Sequence, residues 1–145
     1  MIYQDAKPNK AHYALAKLEQ QGKLRAVVTQ NIDGLHQLAG SRSVLELHGS
    51  VHRNICQVCG AVYDAEWIMM TTGVPHCDKC GGRVKPDVVL YEESLPEDTL
   101  TRSVNAIANA DLLLVGGTSL TVYPAAGPVS YTHLRAHETV RNLVC

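Results

Sequence analysis

The sequence predicts an α/β fold, a parallel sheet with ligand-facing loops interrupted by a small cysteine-bearing module. Three observations carry this. Short apolar runs at Ala26-Val27-Val28 and Leu112-Leu113-Leu114-Val115 have the length of buried strands and alternate with segments of helical period. Polar or glycine-rich segments follow them at once: Thr29-Gln30-Asn31-Ile32-Asp33-Gly34 after the first and Gly116-Gly117-Thr118-Ser119 after the second. Such segments mark the ligand-binding ends of parallel strands. Between them lie two Cys-x2-Cys pairs in a stretch rich in glycine and turns.

Each element has a local signal. Pro8 and Asn9 open a helix with Ala11, Ala14, Leu15 and Leu18 on its apolar face, closed by Gly22. Ala26 to Val28 is the first strand. Val44-Leu45-Glu46-Leu47 alternates like a second one and ends at His48-Gly49. The cysteine module is expected over residues 52–84. Val88-Val89-Leu90-Tyr91 reads as a strand, and Leu95 to Ala110 as a helix with Pro96 in its first turn, Glu97 and Asp98 behind it, and Leu100, Val104 and Ile107 on one face. Leu112 to Val115 is the last strand predicted.

Composition narrows the function classes. The 145 residues suffice for one domain with a small insert, and a hydrophobic share of 46% against 19% charged describes globular material. Thirteen Lys and Arg against fourteen Asp and Glu give a net charge of −1 without clustered basic residues, which argues against an electrostatic nucleic-acid surface. The uncharged stretch from Leu112 to Leu134 is broken by three Gly and two Pro, so a membrane span is not expected. The opening residues MIYQDAKPNK hold no apolar signal core, and the cytosol is the expected compartment.

Cys56-x2-Cys59 and Cys77-x2-Cys80, seventeen residues apart, read as one zinc site in a chain without an export signal. Four sulfurs fill a tetrahedron at about 2.3 Å each and leave no position for water or substrate, so the metal is structural. A redox pair and free thiols are the competing readings. Four thiolates on one Zn2+ leave a local charge of −2, which Arg53, Lys79 and Arg83 are expected to offset.

The loops after the strands carry the remaining candidates. Gly116-Gly117-Thr118-Ser119 offers backbone N–H groups and hydroxyls to a ribose or phosphate, or is a plain turn. Gln30-Asn31-Ile32-Asp33 crowds two amides and a carboxylate at a strand exit, which suits ribose hydroxyls and a carboxamide. Equally, Asp33 is placed to cap a short helix. His48 stands where a strand runs out into glycine, with His36 and His52 competing for a catalytic role. His52 is discounted as a metal ligand because four cysteines already satisfy the metal.

Taken in order, Thr29-Gln30-Asn31-Ile32-Asp33-Gly34-Leu35-His36, Leu47-His48-Gly49-Ser50, the four-cysteine module, Lys85-Pro86-Asp87-Val88-Val89-Leu90-Tyr91 and Gly117-Thr118-Ser119-Leu120-Thr121-Val122-Tyr123-Pro124-Ala125-Ala126 resemble the sirtuins, NAD-dependent protein lysine deacylases. The resemblance spans about residues 5–127 and looks bacterial. It implies a Rossmann-like NAD-binding domain, here residues 1–51 and 85–127, with a zinc-binding lobe at 52–84. Acylated lysine of a protein substrate would enter between the two. It also implies that Gln30, Asn31, Ile32 and Asp33 surround nicotinamide and its ribose, and that Gly117, Thr118 and Ser119 meet the adenosine side. Val89, Tyr91 and Val122 would contact substrate, whose backbone pairs as an added strand. His48 would be the general base, taking a proton from a ribose hydroxyl as the acyl group passes from lysine to ADP-ribose and nicotinamide departs.

The chain departs from the family in three places. Glu92 stands in Tyr91-Glu92-Glu93 where the family usually has glycine. The Gly-Ala-Gly-x-Ser segment that grips the pyrophosphate is absent, which implies a parallel sheet lacking its first strand. Residues 128–145 match nothing in the family and are expected to be a non-native tail. A fragment of this kind is expected to be unstable or inactive alone, its longer parent being the deacylase. The other functional classes compatible with these motifs are a non-catalytic zinc-ribbon binding module and a protein ADP-ribosyltransferase using the same NAD site.

Overall fold

The computed structural model describes residues 5–118, 127 and 139–140. Helix α1, Lys10–Gln20, begins where predicted: Asn9 Oδ1 accepts from the backbone N–H groups of Ala11 (2.9 Å) and His12 (3.2 Å), satisfying two donors that the helix leaves open. Its packing differs from the expected face. His12 and Ala16 are the buried residues, whereas Ala14 is exposed and Leu15 and Leu18 are half-buried along an open cleft. The far end is held by Glu19, whose carboxylate accepts from the N–H groups of Arg42 (2.8 Å) and Ser43 (2.7 Å).

Strand β1, Val27–Thr29, pairs in parallel with β2, Val44–Glu46, in the register Val27 to Val44. The one-turn helix α2, Leu35–Leu38, lies on the crossover between them. After β2 the chain enters β3, Gly49–Cys56, a strand the sequence did not signal. It is the centre of an antiparallel sheet, with β4 (Val62–Tyr63) on one side and β5 (Val84–Val88) on the other. Helix α3, Ala65–Met70, also unpredicted, starts at Asp64, whose Oδ1 accepts from Trp67 N–H at 2.7 Å. Helix α4, Glu97–Ala108, follows with Pro96 as its N-cap rather than inside its first turn.

Two expected strands are corrected. The strand placed at Val88 to Tyr91 is instead β5, which ends at Val88. Beyond it Glu93 N–H closes a turn onto Leu90 O at 3.1 Å, with Glu92 at φ +68°. Positive φ at the third turn position alone is the type II signature and favours glycine there, which is the place where the family usually has one. The strand placed at Leu112 to Val115 shrinks to β6, Val115–Gly116, paired in parallel with β7, Thr139–Val140. Leu112 and Leu114 are 67% and 65% exposed, so an apolar run alone did not make a buried strand.

Two small cores result. Leu47 and Leu95, with Val28, Val89 and Leu100 against them, join the β1–β2 ladder to α4. Burial of Leu47 is worth about 1.5–3 kcal/mol and anchors the residue that directly precedes His48. The second core, Cys56, Tyr63, Cys77 and Val84, sits in the cysteine lobe under Trp67 and Ile68. No helix among the described residues is long and apolar enough to cross a membrane.

Candidate functional site

The last residue of β1 and the segment after it are fastened to residues 47–52 by four carbonyls. Thr29 O accepts from Leu47 N–H (2.9 Å) and Ile32 O from Val51 N–H (3.1 Å). The other two bonds come from side chains: His48 Nδ1 lies 2.9 Å from Gln30 O, and His52 Nε2 lies 2.9 Å from Asp33 O. A carbonyl only accepts, so both ring nitrogens carry the hydrogen. The consequence for His48 is specific: with Nδ1–H committed to Gln30, the lone pair of a neutral ring resides on Nε2. His52 is tied down on the same ladder and takes no part in the metal site.

Gln30, Asn31, Ile32, Asp33, His48, Val89, Tyr91, Gly117 and Thr118 all line one open cleft of about 2520 Å³. That is several times the roughly 300–1,000 Å³ of a fitted small-molecule pocket, because it includes the uncovered faces of α1, β1 and the Leu112–Leu114 segment. Ser119 and Val122, read from the sequence as cofactor and substrate residues, lie outside the described residues. Among the described residues the side-chain amides of Gln30 and Asn31 have no partner, while Asp33 Oδ1 accepts from Leu35 N–H at 3.0 Å. Asp33 thus holds the first N–H of α2 from the position before its N-cap, Gly34, and also lines the cleft. Val89 is coupled to the candidate base through its N–H, which donates to His48 O at 3.0 Å. Tyr91 is fully exposed.

Glu93 fixes the turn beside Tyr91 in a way the sequence did not reveal. Its carboxylate accepts from Leu90 N–H (2.8 Å) and from Lys85 Nζ (2.9 Å). The Leu90 N–H, and secondly Lys85, hold the Glu93 carboxyl below its usual range. A depressed carboxylate pKa means that the unfolded chain binds the proton more readily, so the clamp is complete above the ordinary Glu value and is lost as pH falls through the lowered one. The Leu90 amide resonance is expected to titrate below pH 4.5, and a Glu93→Gln variant to lose that transition. A midpoint above the ordinary glutamate range would contradict the clamp.

The metal candidates converge. Cys56 Sγ lies 3.5 Å from Cys80 Sγ and Cys59 Sγ 3.5 Å from Cys77 Sγ, with all four ligand atoms within 4.8 Å of one another. Sulfurs on a zinc tetrahedron with bonds of about 2.3 Å stand about 3.8 Å apart, so the four cysteines are positioned to hold a zinc ion. The two knuckles are built alike. In each, the glycine directly after the second cysteine, Gly60 or Gly81, adopts φ +71° and returns its N–H to the first cysteine's carbonyl, at 3.0 Å and 2.8 Å. Tyr63 and Asp78 support the site unannounced by any spacing rule: the Tyr63 hydroxyl sits 3.0 Å from Cys77 Sγ and bonds Asp78 Oδ1. The Tyr63 contact is the main influence that brings the Cys77 thiol down to about 6.

The expectation that Arg53 offsets the thiolates is corrected. Its guanidinium joins Glu46 (2.8 Å) and Asp87 (2.9 Å), bridging β2, β3 and β5. Glu46 in turn accepts from Gln37 Nε2 of α2 at 2.7 Å. A smaller cavity of about 330 Å³ on that side is lined by Glu46, Arg53, Asp87 and Lys85, whose charges are already paired.

Comparison with known proteins sets these elements in context. Residues 1–124 match the Sir2 family. An NAD-dependent protein deacetylase of Clostridium acetobutylicum is 65% identical over 132 residues, covering 90% of this chain and 54% of that protein. Its counterpart in Clostridium perfringens is 61% identical over 131 residues, again 90% and 54%. A solved structure of Sir2 with a p53 peptide and NAD+ superposes with a TM-score of 0.81 at 46% identity, covering 88% of this chain and 54% of the other. The chain thus spans about half the length of the curated relatives it matches.

Proposed function

The chain belongs to the Sir2 family, and from that premise we propose that its residues form the base and the nicotinamide-facing half of an NAD-dependent protein lysine deacetylase. The observation that carries this reading is the His48 ring, fixed through Nδ1–H to the backbone of the very loop that would hold the cofactor. Nε2 is thereby the atom that accepts a proton, and the ring is tied to the backbone of Gln30 rather than to its side chain.

The residues present fit NAD. The carbonyls of Thr29, Gln30, Ile32 and Asp33 are spent on the 47–52 segment, while the amides of Gln30 and Asn31 have no protein partner among the described residues. These amides, with Ile32 and Asp33, would hold the nicotinamide riboside, and Gly117, Thr118 and Ser119 the adenosine side. NAD, when bound, supplies the ADP-ribose that receives the acyl group and the nicotinamide that leaves. Val89, Tyr91 and Val122 would hold the acylated lysine and its flanking backbone. In this reading residues 1–51 and 85–127 form the cofactor domain, 52–84 a lobe braced by Zn2+, and 128–145 a segment foreign to both.

The test is a graft of residues 1–124 into the Clostridium acetobutylicum relative in place of their counterparts. The graft is expected to remove acetyl groups from an acetyl-lysine peptide only when NAD is supplied. His48→Ala should lower turnover about 10²–10⁴-fold, the usual worth of a positioned general base, with zinc content and peptide affinity retained. A folded graft whose turnover ignores His48→Ala overturns the assignment.

A further inference from the structure

Helix α2 contains only four residues and begins as soon as the Gln30–Asp33 loop ends. One turn of helix has no stability of its own, so its placement comes from what touches it. Its N-cap, Gly34, supplies no side-chain bond. On one side Gln37 reaches Glu46, and His36 O accepts from Ser41 N–H at 3.0 Å. On the other side His12 of α1 presses its ring against that of His36, with centroids 4.6 Å apart and planes tilted by 48°.

His12 is unusual for a histidine in a first helical turn. It is 4% exposed, and it occupies the third helical position, where its Nδ1 meets Asn9 N (3.3 Å) and Asn9 Oδ1 (2.9 Å). The ring is therefore held by the helix cap at one edge and offers its body to His36. His36 Nδ1 is buried with no partner among the described residues, so no hydrogen bond at that atom fixes its ring. Burial first, and His12 second, hold His36 below the usual imidazole range despite Asp33 nearby, so it is uncharged at neutral pH and the contact is one of ring surfaces.

We propose that His12 is a positioning residue for the Gln30–Asp33 loop, acting through the ring of His36. Asp33 Oδ1 is bonded to the N–H of Leu35, the residue beside His36, so a displaced α2 carries the Asp33 carboxylate with it. The inference rests on the reading of that loop as one wall of the NAD site. It adds a residue of α1 that acts on the loop through His36.

Two substitutions separate the ring from the cap. His12→Gln keeps a side chain suited to the reciprocal cap at this position but removes the ring. His12→Phe keeps the ring and removes the cap bond. In the graft described above, NAD affinity is measured by calorimetry. His12→Gln is expected to weaken NAD about tenfold, the upper range of an aromatic contact, while His12→Phe stays within about threefold. Turnover at saturating NAD should change less than about twofold in both, since a transition-state role would lower it. The opposite order, Phe weak and Gln like the parent, would make His12 a helix cap only and overturn the proposal, as would equal losses. Should His12→Gln fail to fold, His12→Phe decides alone: near-parental affinity supports the ring, a tenfold loss refutes it. A graft with His12 intact that binds no NAD refutes the functional reading itself, a distinct result.

Discussion

Removing zinc with a chelator is expected to unfold the lobe of β3, β4, β5 and α3, and Cys77→Ser to do the same without a chelator. Apparent zinc binding to four-cysteine modules is about 10–16 kcal/mol, as large as the roughly 5–15 kcal/mol by which a whole domain is stable. The lobe has little else: its core is four buried residues, two of them ligands. Trp67, the single tryptophan, packs on Tyr63 with ring centroids 4.1 Å apart, and Tyr63 lies against Cys77, so its emission reports the event directly. The expected sequence is loss of one zinc per chain, a red shift of Trp67 and loss of the strand signal in circular dichroism. Unchanged Trp67 emission after complete removal of metal would mean that the knuckles hold their shape without it.

Gly49→Ala is expected to loosen the junction of β3 and β5. Gly49 has φ +75°, and a Cβ there would stand 2.0 Å from Asp87 O of β5. The obstacle is backbone, which cannot rotate aside, so β3 and β5 must part where Gly49 pairs with Val88. The neighbouring bond from Val89 N–H to His48 O goes with them. Left-handed strain costs about 1–2 kcal/mol and forced overpacking about 1–3, giving a loss of order 2–5 kcal/mol. Gly73→Ala is the control, because Gly73 shares the left-handed conformation (φ +78°) but a Cβ there meets nothing within 4 Å. Thermal unfolding should separate the two variants widely. Equal losses would show that strain alone, without the Asp87 contact, sets the cost.

The parts legible in the sequence were those whose chemistry fixes a spacing. Two Cys-x2-Cys pairs announce a metal because thiolates must converge, whereas the left-handed glycine after each, Gly60 and Gly81, is seen only in the structure. The Gln30–Asp33 and His48-Gly49 segments were legible as strand exits, and Gln30–Asp33 and His48 line the one cleft. Strand β3 was not legible because its exposed positions carry His52 and Arg53, and Arg53 is there to pair with Glu46 and Asp87 rather than to alternate with apolar neighbours. Strand β5 was masked by Pro86, which reads as a break. It is tolerated because β5 is a sheet edge and its pairing with β3 slips between Ser50 and Asn54. The apolar face assigned to α1 misled for a different reason: contact with α2 buries His12, and the aliphatic residues line the cleft instead.

The four-carbonyl fastening between residues 29–33 and 47–52 also bears on how such a protein can be re-engineered. Two of its rungs are imidazoles, so the stretch that would embrace a dinucleotide inherits its curvature from side chains some eighteen positions downstream. Anyone transplanting that stretch into another scaffold must move both segments as a single cassette. Carried alone, it would arrive with four thirsty oxygens and no template to bend around.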